Sequence, residues 1–280
     1  MQDVLTVQGL CKQYEGFALR DVSFTLRPGA ITGLIGRNGA GKSTTLKSLL
    51  NLVHPDSGDI SFFGQPFLGH EQQAKQQLSF VMGGFTYYPM KKLKTITAAT
   101  RPFYTNWDEE VYRRCIQRFA LPEQKTPRQL SDGMRVKYAL ALALSHHAKL
   151  LILDEPTSGL DPVSRDELME LFLALVQEEG VTILFSTHIT TDLEKCADDI
   201  LYIKNGELVA QTGMTQFLEE YRMVSFTTPQ PPAQAAEKLV GCRPSRTGCE
   251  ALVHTANLPI DGAEVQKAGL EDIMVHMERA

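Results

Sequence analysis

Short stretches of alternating or purely apolar residues dominate the first ninety positions of the chain. Alternation is typical of half-buried strands, and short apolar runs bounded by glycine are typical of buried strands. One clear helical pattern interrupts them, directly after Gly41. The pattern therefore predicts strands at residues 5–9, 18–24, 31–35, 59–63 and 78–82, with a single helix in their midst.

Helical spacing takes over between residues 95 and 145, with an amphipathic stretch at 107–119 and an apolar one at 134–144. An apolar strand at 150–153 then resumes the earlier pattern. A helix at 162–179, a strand at 181–185, a helix at 190–196 and strands at 200–203 and 207–210 follow. Asn205-Gly206 is a strong hairpin signal between the last two strands. The chain is thus predicted to be an α/β core interrupted by a helical insert.

The chain beyond Tyr221 is predicted to be a small separate region. The proline-rich run at 227–232 is expected to act as a linker, with a strand at 250–255 and a helix at 262–277 beyond it. Leu270, Ile273, Met274 and Met277 fall on one face of that helix. We expect this face to pack against the core.

Composition limits the possible partners. The 280 residues are 43% hydrophobic and carry a formal net charge of -5, which is not the basic balance that most nucleic-acid binders need. We therefore expect no nucleic acid as partner. The five cysteines form no CxxC pair, so we expect reduced thiols and a cytoplasmic protein. There is no basic leader, and no apolar run approaches the ~18 residues of a membrane span. A role at the membrane would require a partner.

A phosphate loop is predicted at residues 36–43, which fit the pattern G-x-x-x-x-G-K-[ST] between a strand and a helix. Backbone amides of such a loop form a nest for anions, and the helix dipole adds to it. The lysine would reach the outer phosphates, and the serine hydroxyl would hold Mg²⁺. A glycine-rich turn with a chance lysine is the alternative. The predicted nucleotide-binding residues here are Gly36, Arg37, Asn38, Gly39, Ala40, Gly41, Lys42, Ser43 and Thr44.

Two adjacent acids follow the apolar strand at 150–153. Asp154 is predicted to bind Mg²⁺, and Glu155 to polarise the water that attacks the γ-phosphate of ATP. A solvated strand end is the plain alternative. Four apolar residues leading directly into the acids, and Pro156 after them, favour the functional interpretation.

A serine stands at the start of the apolar helix predicted at 134–144. Ser131 is a natural N-cap, and Asp132 suits the first turn of a helix. The same geometry leaves amides and a hydroxyl facing outwards, which makes an anion site with no anion-binding partner nearby in the sequence. Residues 130–134, Leu-Ser-Asp-Gly-Met, resemble the signature motif of ATP-binding cassette proteins. Residues 158–161, Ser-Gly-Leu-Asp, resemble the loop with which that family contacts its dimer partner.

The resemblance covers the order of motifs over residues 1 to about 215. It implies an α/β fold: a RecA-like P-loop core with an antiparallel β-subdomain and a helical signature subdomain at about 85–145. We assign residues 1–221 to this ATP-binding domain and residues 222–280 to a small C-terminal α+β extension. In the family, two cassettes stack head to tail, so ATP and Mg²⁺ are the expected cofactors and a second ATP-binding subunit an expected partner.

The resemblance also implies roles for single residues. Ser131 and Gly133 would bind the ATP held by the partner cassette, and Asp161 would bind nucleotide at the shared interface. Tyr14 stands where the family places an aromatic ring on adenine, although packing is an equally simple role for it. His188, in Ser-Thr-His, resembles the switch histidine that contacts the γ-phosphate and is expected to act with Glu155.

Two positions depart from the family pattern. A glutamine that touches Mg²⁺ and the attacking water usually ends the strand at 78–82, whereas this chain has Met82, Gly83 and Gly84. Asp132 stands where glycine is more common, and its charge would repel a triphosphate. We expect Asp132 to weaken closure of the dimer driven by ATP.

The insert contains Phe-Tyr-Thr-Asn-Trp at residues 103–107, which resembles a subgroup that serves bacterial exporters with separately encoded membrane subunits. Transmembrane permease subunits are therefore the expected partners, and the inner face of the cell membrane the expected location. Residues 84–90 and the lysines after them would lie near the docking groove, or would be a solvated basic loop. A soluble cassette ATPase acting on ribosomes or DNA is one alternative function. A small-molecule kinase or GTPase is another, which leaves the signature motif unexplained.

Overall fold

The computed structural model of the chain describes residues 2–82 and 88–279. The strands are β1 (Leu5–Tyr14), β2 (Phe17–Leu26), β3 (Ile31–Ile35), β4 (Ser57–Phe62), β5 (Gln65–Pro66), β6 (Leu78–Met82), β7 (Leu150–Asp154), β8 (Thr182–Thr187), β9 (Asp199–Lys204), β10 (Glu207–Gly213), β11 (Tyr221–Phe226), β12 (Leu239–Pro244), β13 (Cys249–His254) and β14 (Glu264–Lys267). The helices are α1 (Lys42–Leu49), α2 (Glu71–Gln77), α3 (Leu93–Thr100), α4 (Glu109–Arg118), α5 (Asp132–Ser145), α6 (Pro162–Glu179), α7 (Thr190–Cys196), α8 (Met214–Glu220), α9 (Ala233–Ala236) and α10 (Leu270–Met277).

The central sheet has six strands in the order β10-β9-β3-β8-β7-β6. All neighbours are parallel except β9 and β10, which form the predicted hairpin. Strands β7 and β8 are buried along their whole length, as expected of a parallel sheet covered on both faces. Helices α5, α6 and α7 contribute to the hydrophobic cluster on one face. The first strands and α1 contribute to the other cluster.

The register of the central sheet brings the ends of its parallel strands to one edge. Ile35 at the end of β3 is opposite Thr187 on β8. Asp154 at the end of β7 lies between Ser186 on β8 and Met82 on β6. Residues that are far apart in sequence therefore lie side by side at this edge, which is where open parallel sheets carry their ligands.

A four-stranded antiparallel sheet, β2-β1-β4-β5, covers the second face. Its inward side chains include Leu5, Val7 and Leu10, which join α1 in one cluster. Strand β1 continues five residues beyond the predicted end at residue 9. Gly9 has a left-handed backbone, with φ 62, and the register shifts here. The register shift interrupts the alternation of apolar and polar residues, which explains why the strand predicted from the sequence was too short.

The helical insert has a hydrophobic cluster of its own, centred on Leu93, Leu130 and Tyr138. Three hydroxyl groups in its interior hydrogen-bond to one another, since the Thr97 hydroxyl lies 2.9 Å from the hydroxyls of both Tyr112 and Tyr138. The side chain of Gln76, near the end of α2 before β6, joins the insert to the core. The Gln76 amide nitrogen donates to Phe103 O at 2.7 Å, and its oxygen accepts from Thr105 N at 2.9 Å.

The C-terminal region is an α+β module with a sheet in the order β12-β13-β11-β14. The helix predicted at 262–277 is wrong in its first half, because residues Glu264–Lys267 form an exposed edge strand paired with β11. Tertiary pairing here overrides the favourable helix propensity of glutamate, glutamine and lysine. The proline-rich run at 227–232 follows β11, so it lies inside the module rather than in front of it. Packing of Leu270, Ile273, Met274 and Met277 against the core is confirmed.

All five cysteines are free, as expected. Within residues 2–82 and 88–279, no helix combines the length and the apolar character that crossing a bilayer requires.

Candidate functional site

The loop between β3 and α1 packs closely against β9. Gly36 and Gly41 have φ 155 and φ 115, where other residues are strained. A Cβ at Gly36 would come within 2.2 Å of Ile203 O, so the loop rests directly on β9. The turn after β9 supports the loop as well, because Gly206 N donates to Ala40 O at 2.9 Å. Only glycine allows this close approach of the loop to β9.

Lys42 is the buried cation of the loop. Its side chain is 6% exposed, and Nζ donates to Gly36 O at 2.8 Å. A carboxylate oxygen of Glu155 lies 3.7 Å from the same nitrogen. The ammonium group is therefore fixed at the mouth of the loop by a carbonyl and a carboxylate, in position to meet further negative charge.

Three oxygen-bearing side chains meet beside Lys42. The Ser43 hydroxyl donates to Asp154 Oδ1 at 3.0 Å, and the Ser186 hydroxyl donates to the same oxygen at 2.7 Å. Asp154 is buried, and no basic side chain among the described residues forms an ion pair with it. A buried carboxylate needs charge compensation, and hydroxyl and carboxylate oxygens are hard ligands that suit Mg²⁺. The residues present therefore fit a magnesium ion whose remaining ligands are phosphate and water.

Glu155 is held from both sides. Its Oε2 lies 2.8 Å from His188 Nδ1, and its backbone nitrogen donates to Ser186 O at 3.1 Å and to Ser186 Oγ at 3.0 Å. The residue adopts φ 50, an unusual conformation for a side chain of this size. Such strain persists only where surrounding contacts enforce it. Here the enforced conformation directs the carboxylate towards Lys42 and His188.

A cavity of about 670 Å³ opens in front of these groups. Its walls combine the loop, the acid Glu155 and the histidine. The lining residues are Gly16, Phe17, Asn38, Gly39, Gly41, Lys42, Ser43, Thr44, Glu155, Ser158 and His188. The volume and the cationic, amide-rich wall suit a nucleoside triphosphate.

Several predicted site residues lie outside the lining of this cavity. Gly36, Arg37 and Ala40 belong to the loop behind it, and Gly36 O and Arg37 O both accept from Lys42 Nζ. Tyr14 lies opposite Phe17 across the turn between β1 and β2, with Lys12 Nζ 5.7 Å from its ring centroid. The rim of the cavity is thus formed by Phe17 rather than by Tyr14.

The signature residues lie apart from the cavity of their own chain. Ser131 caps α5 by accepting from Met134 N at 3.2 Å, as expected of a serine at this position. Asp132 pairs with Arg135 at 2.5 Å, which offsets the charge near the helix start. A Cβ on Gly133 would stand 3.7 Å from Leu160, in ordinary contact. The helix start therefore adjoins the 158–161 loop.

Asp161 caps α6. Its Oδ1 accepts from Val163 N and Ser164 N, and its Oδ2 accepts from the Ser164 hydroxyl at 2.6 Å. The Ser164 hydroxyl, with the backbone donors, holds the pKa of the Asp161 carboxyl below its usual range. The carboxylate is therefore committed to its own helix, and its predicted contact with nucleotide remains a prediction.

Sequence reasoning missed Ser186 and three residues that line the cavity, Gly16, Phe17 and Ser158. Ser186 bridges Asp154 and Glu155, and the available signal was its place beside His188 in Ser-Thr-His. Phe17 was overlooked because it opens a strand, and Ser158 because it was grouped with the interface loop. The departure at residues 82–84 is only partly visible. Met82 pairs with Asp154 in the sheet, whereas Gly83 and Gly84 lie outside the described residues.

Comparisons with known proteins agree with this geometry. The family model described as "ABC transporter" matches residues 19–158. The ABC transporter ATP-binding protein YtrB of Bacillus subtilis (strain 168) is 31% identical over 219 residues, 78% of this chain and 75% of that protein. The chain belongs to the ABC transporter family. It is an ATP-binding, ATP-hydrolysing subunit of that family, a cassette.

Two further similarities extend the comparison. The cassette is 34% identical over 214 residues to the Nod factor export ATP-binding protein I of Ralstonia nicotianae (strain ATCC BAA-1114 / GMI1000), covering 74% of this chain and 66% of that protein. A solved ATP-binding subunit of an ABC transporter matches with a TM-score of 0.68 and 30% identity, over 76% of this chain and 91% of that one. The expected P-loop cassette fold is confirmed.

Proposed function

We propose that this cassette hydrolyses ATP as one half of a dimer and that the motion drives export through a membrane subunit. Residues 1–221 form the cassette in this proposal, and residues 222–280 form an accessory region. The observation that carries the proposal is the position of Glu155. Its two carboxylate oxygens lie between Lys42 and His188, at 3.7 Å and 2.8 Å, at the mouth of the cavity.

This geometry supports the following chemical roles. Lys42 and the loop amides bind the phosphates of ATP, and Glu155 accepts a proton from the attacking water. His188 orients Glu155 through Nδ1 and stands near the position of the γ-phosphate. Ser43 and Asp154 would hold Mg²⁺, while the Ser186 hydroxyl donates to Asp154 Oδ1 and accepts from Glu155 N. The ion would neutralise phosphate charge at this point.

In this proposal, a second cassette contributes residues that complete the ATP site. The amides and hydroxyl at the start of α5 suit an anion, yet Ser131 and Gly133 line no part of the cavity of their own chain. A second cassette stacked head to tail would bring its Ser131 and Gly133 onto the γ-phosphate. Asp161 and Ser158 would lie at the interface between the two chains.

The membrane partner is a transmembrane permease subunit, which would hold the cassette at the inner face of the cell membrane. Tyr88, Met90 and Phe103 are large apolar side chains of the helical insert, each more than 60% exposed. They offer a docking surface of apolar character. The similarity to a protein named for Nod factor export supports export as the direction. Co-purification with ribosomes instead of membranes would contradict this assignment.

The first test is Glu155→Gln. Loss of a positioned general base should lower ATP turnover by about 10²–10⁴ while ATP binding is retained. The measurements are phosphate release and equilibrium binding of ATP. Glu110→Gln, at an exposed position on α4, is the matched control and should leave both unchanged. Undiminished turnover in Glu155→Gln would remove Glu155 from the mechanism.

The second test is complementation between two inactive chains. Lys42→Ala disables the phosphate loop, and Gly133→Asp places a charge at the signature helix without a clash in its own chain, since the nearest atom to its Cβ is 3.7 Å away. Mixing the two variants should restore ATPase activity, because a head-to-tail dimer then contains one site with Lys42 and Gly133 intact. A mixture no more active than its components would show that both halves act in one chain.

A further inference from the structure

The C-terminal helix α10 is buried in the ATPase core rather than in its own module alone. Leu270 and Ile273 are fully buried and share a hydrophobic cluster with Leu193 on α7 and Tyr202 on β9. Helix α10 therefore contacts two core elements at once. Helix α7 follows His188 along the chain, and strand β9 leads to the turn beneath the phosphate loop.

The two ends of α10 are each held by a charged core side chain of the favourable sign. At the start, Glu194 Oε1 on α7 accepts from Leu270 N at 2.5 Å. At the end, Lys204 Nζ on β9 donates to Met277 O at 2.6 Å. An anion at the start of a helix and a cation at its end both satisfy free backbone groups and favour the helix dipole. This pairing fixes the position of α10 along its axis.

Each contact leads directly to the ATP site. Helix α7 begins two residues after His188, and its Leu193 fills the space over Gly33 on β3, where a Cβ would meet Leu193 at 2.2 Å. Lys204 is the last residue of β9 and precedes the turn whose Gly206 N donates to Ala40 O. Helix α10 thus spans the segment that carries His188 and the turn that supports the phosphate loop.

The helix is also tied to its own sheet. His276 Nδ1 lies 2.6 Å from Gly241 O, and a Cβ on Gly241 would come within 1.9 Å of His276 O. Since the approach is this close, a displacement of the sheet would displace α10. The sheet of the C-terminal module and α10 are therefore expected to move together.

We propose that α10 is a brace, meaning a helix that holds α7 and β9 in fixed positions, and that Glu194 and Lys204 are positioning residues for ATP hydrolysis. Glu194 acts through α7 and His188. Lys204 acts through the turn beneath the phosphate loop. The C-terminal module would thereby adjust the site without touching ATP. This inference rests on the proposed role of His188. It assigns the accessory region a function in setting the rate of the cassette.

The test separates the two ends of the brace by steady-state kinetics. Glu194→Ala should lower kcat about tenfold with KM for ATP unchanged, because His188 shifts while the phosphate loop stays in place. Lys204→Met should raise KM for ATP several-fold, because the support of the loop is loosened. Glu194→Gln and Lys204→Arg, which keep an acceptor and a donor, should restore most of each parameter.

Matched controls are Glu219→Ala and Lys238→Met, exposed residues whose side chains have no hydrogen-bond partner in the described part of the chain. Both should behave as wild type. The double variant should show both changes together, a lowered kcat and a raised KM for ATP, because the two residues act on different parts of the site. Thermal unfolding of every variant checks that folded protein is compared.

Kinetic parameters within twofold of wild type in folded Glu194→Ala and Lys204→Met would overturn the brace. Loss of the split between kcat and KM, with each single variant changing both parameters alike, would also overturn it. Either failure leaves the proposed function standing, provided that wild type hydrolyses ATP and Glu155→Gln does not. Loss of that contrast would instead contradict the proposed function.

Discussion

Acidification should destabilise the junction between the helical insert and the core through one buried histidine. His146 ends α5, is 2% exposed, and stacks on Tyr104 with ring centroids 3.8 Å apart. Its Nδ1 lies 3.3 Å from Gln76 O, so this nitrogen carries the proton and donates a hydrogen bond to the carbonyl. Burial lowers the pKa of the ring from 6.5 to about 4. The folded protein therefore favours the neutral imidazole.

The sign and size of the effect follow from linkage. A pKa depressed by folding means that the unfolded chain binds the proton more tightly, so stability is full above pH 6.5 and falls as pH drops towards about 4. A tenfold difference in proton affinity is about 1.4 kcal/mol. The difference between 6.5 and about 4 corresponds to about 3 kcal/mol, of which about 2 kcal/mol is lost by pH 5.

The assay is denaturation by urea at pH 8 and at pH 5, followed by the fluorescence of Trp107. This is the single tryptophan of the chain, and its neighbour Asp108 donates its backbone N–H to Ser145 O at 2.6 Å, next to His146. Wild type should lose about 2 kcal/mol more than His146→Gln over this interval. His147→Gln is the comparison variant, because the side chain of this neighbouring histidine is 56% exposed; the variant's loss of stability should stay closer to that of wild type than the loss in His146→Gln does.

An equal loss of stability in wild type and His146→Gln would refute this reasoning. It would show that the His146 ring titrates alike in the folded and unfolded chain. Destabilisation of His146→Gln at both pH values by the same amount would reflect lost stacking on Tyr104 only. The pH dependence, rather than the stability itself, is the decisive readout.

Two further predictions concern the ATP site. Phe17→Ala should weaken ATP binding, measured at equilibrium, by roughly five- to a hundredfold, since stacking of a base on an aromatic ring is worth about 1–3 kcal/mol. A comparable loss in Tyr14→Ala, with none in Phe17→Ala, would show that Tyr14 contacts the adenine instead. Ser186→Ala should lower kcat about tenfold because Asp154 and Glu155 lose their common bridge. Ser48→Ala is its control, as the buried Ser48 hydroxyl has no hydrogen-bond partner among residues 2–82 and 88–279, and equal kcat values in both variants would contradict the bridge.

Local sequence determined the parts of this protein that depend on neighbouring residues. The glycines and Lys42 specify the phosphate loop, because φ values of this kind and a helix start are properties of a short segment. The apolar run into Asp154 specifies a buried strand with acids at its end. Ser131 specifies a helix start for the same reason, since capping needs only three residues.

Tertiary structure alone decided how these parts meet. The parallel register places Ser186 beside Asp154, and no spacing in the sequence encodes that contact. The conversion of residues 264–267 into a strand depends on the partner strand β11. Glu194 and Lys204 look like ordinary surface charges until α10 docks between them. The reason is that dihedral preferences and caps act within a few residues, whereas contacts between distant segments exist only after the whole core has packed.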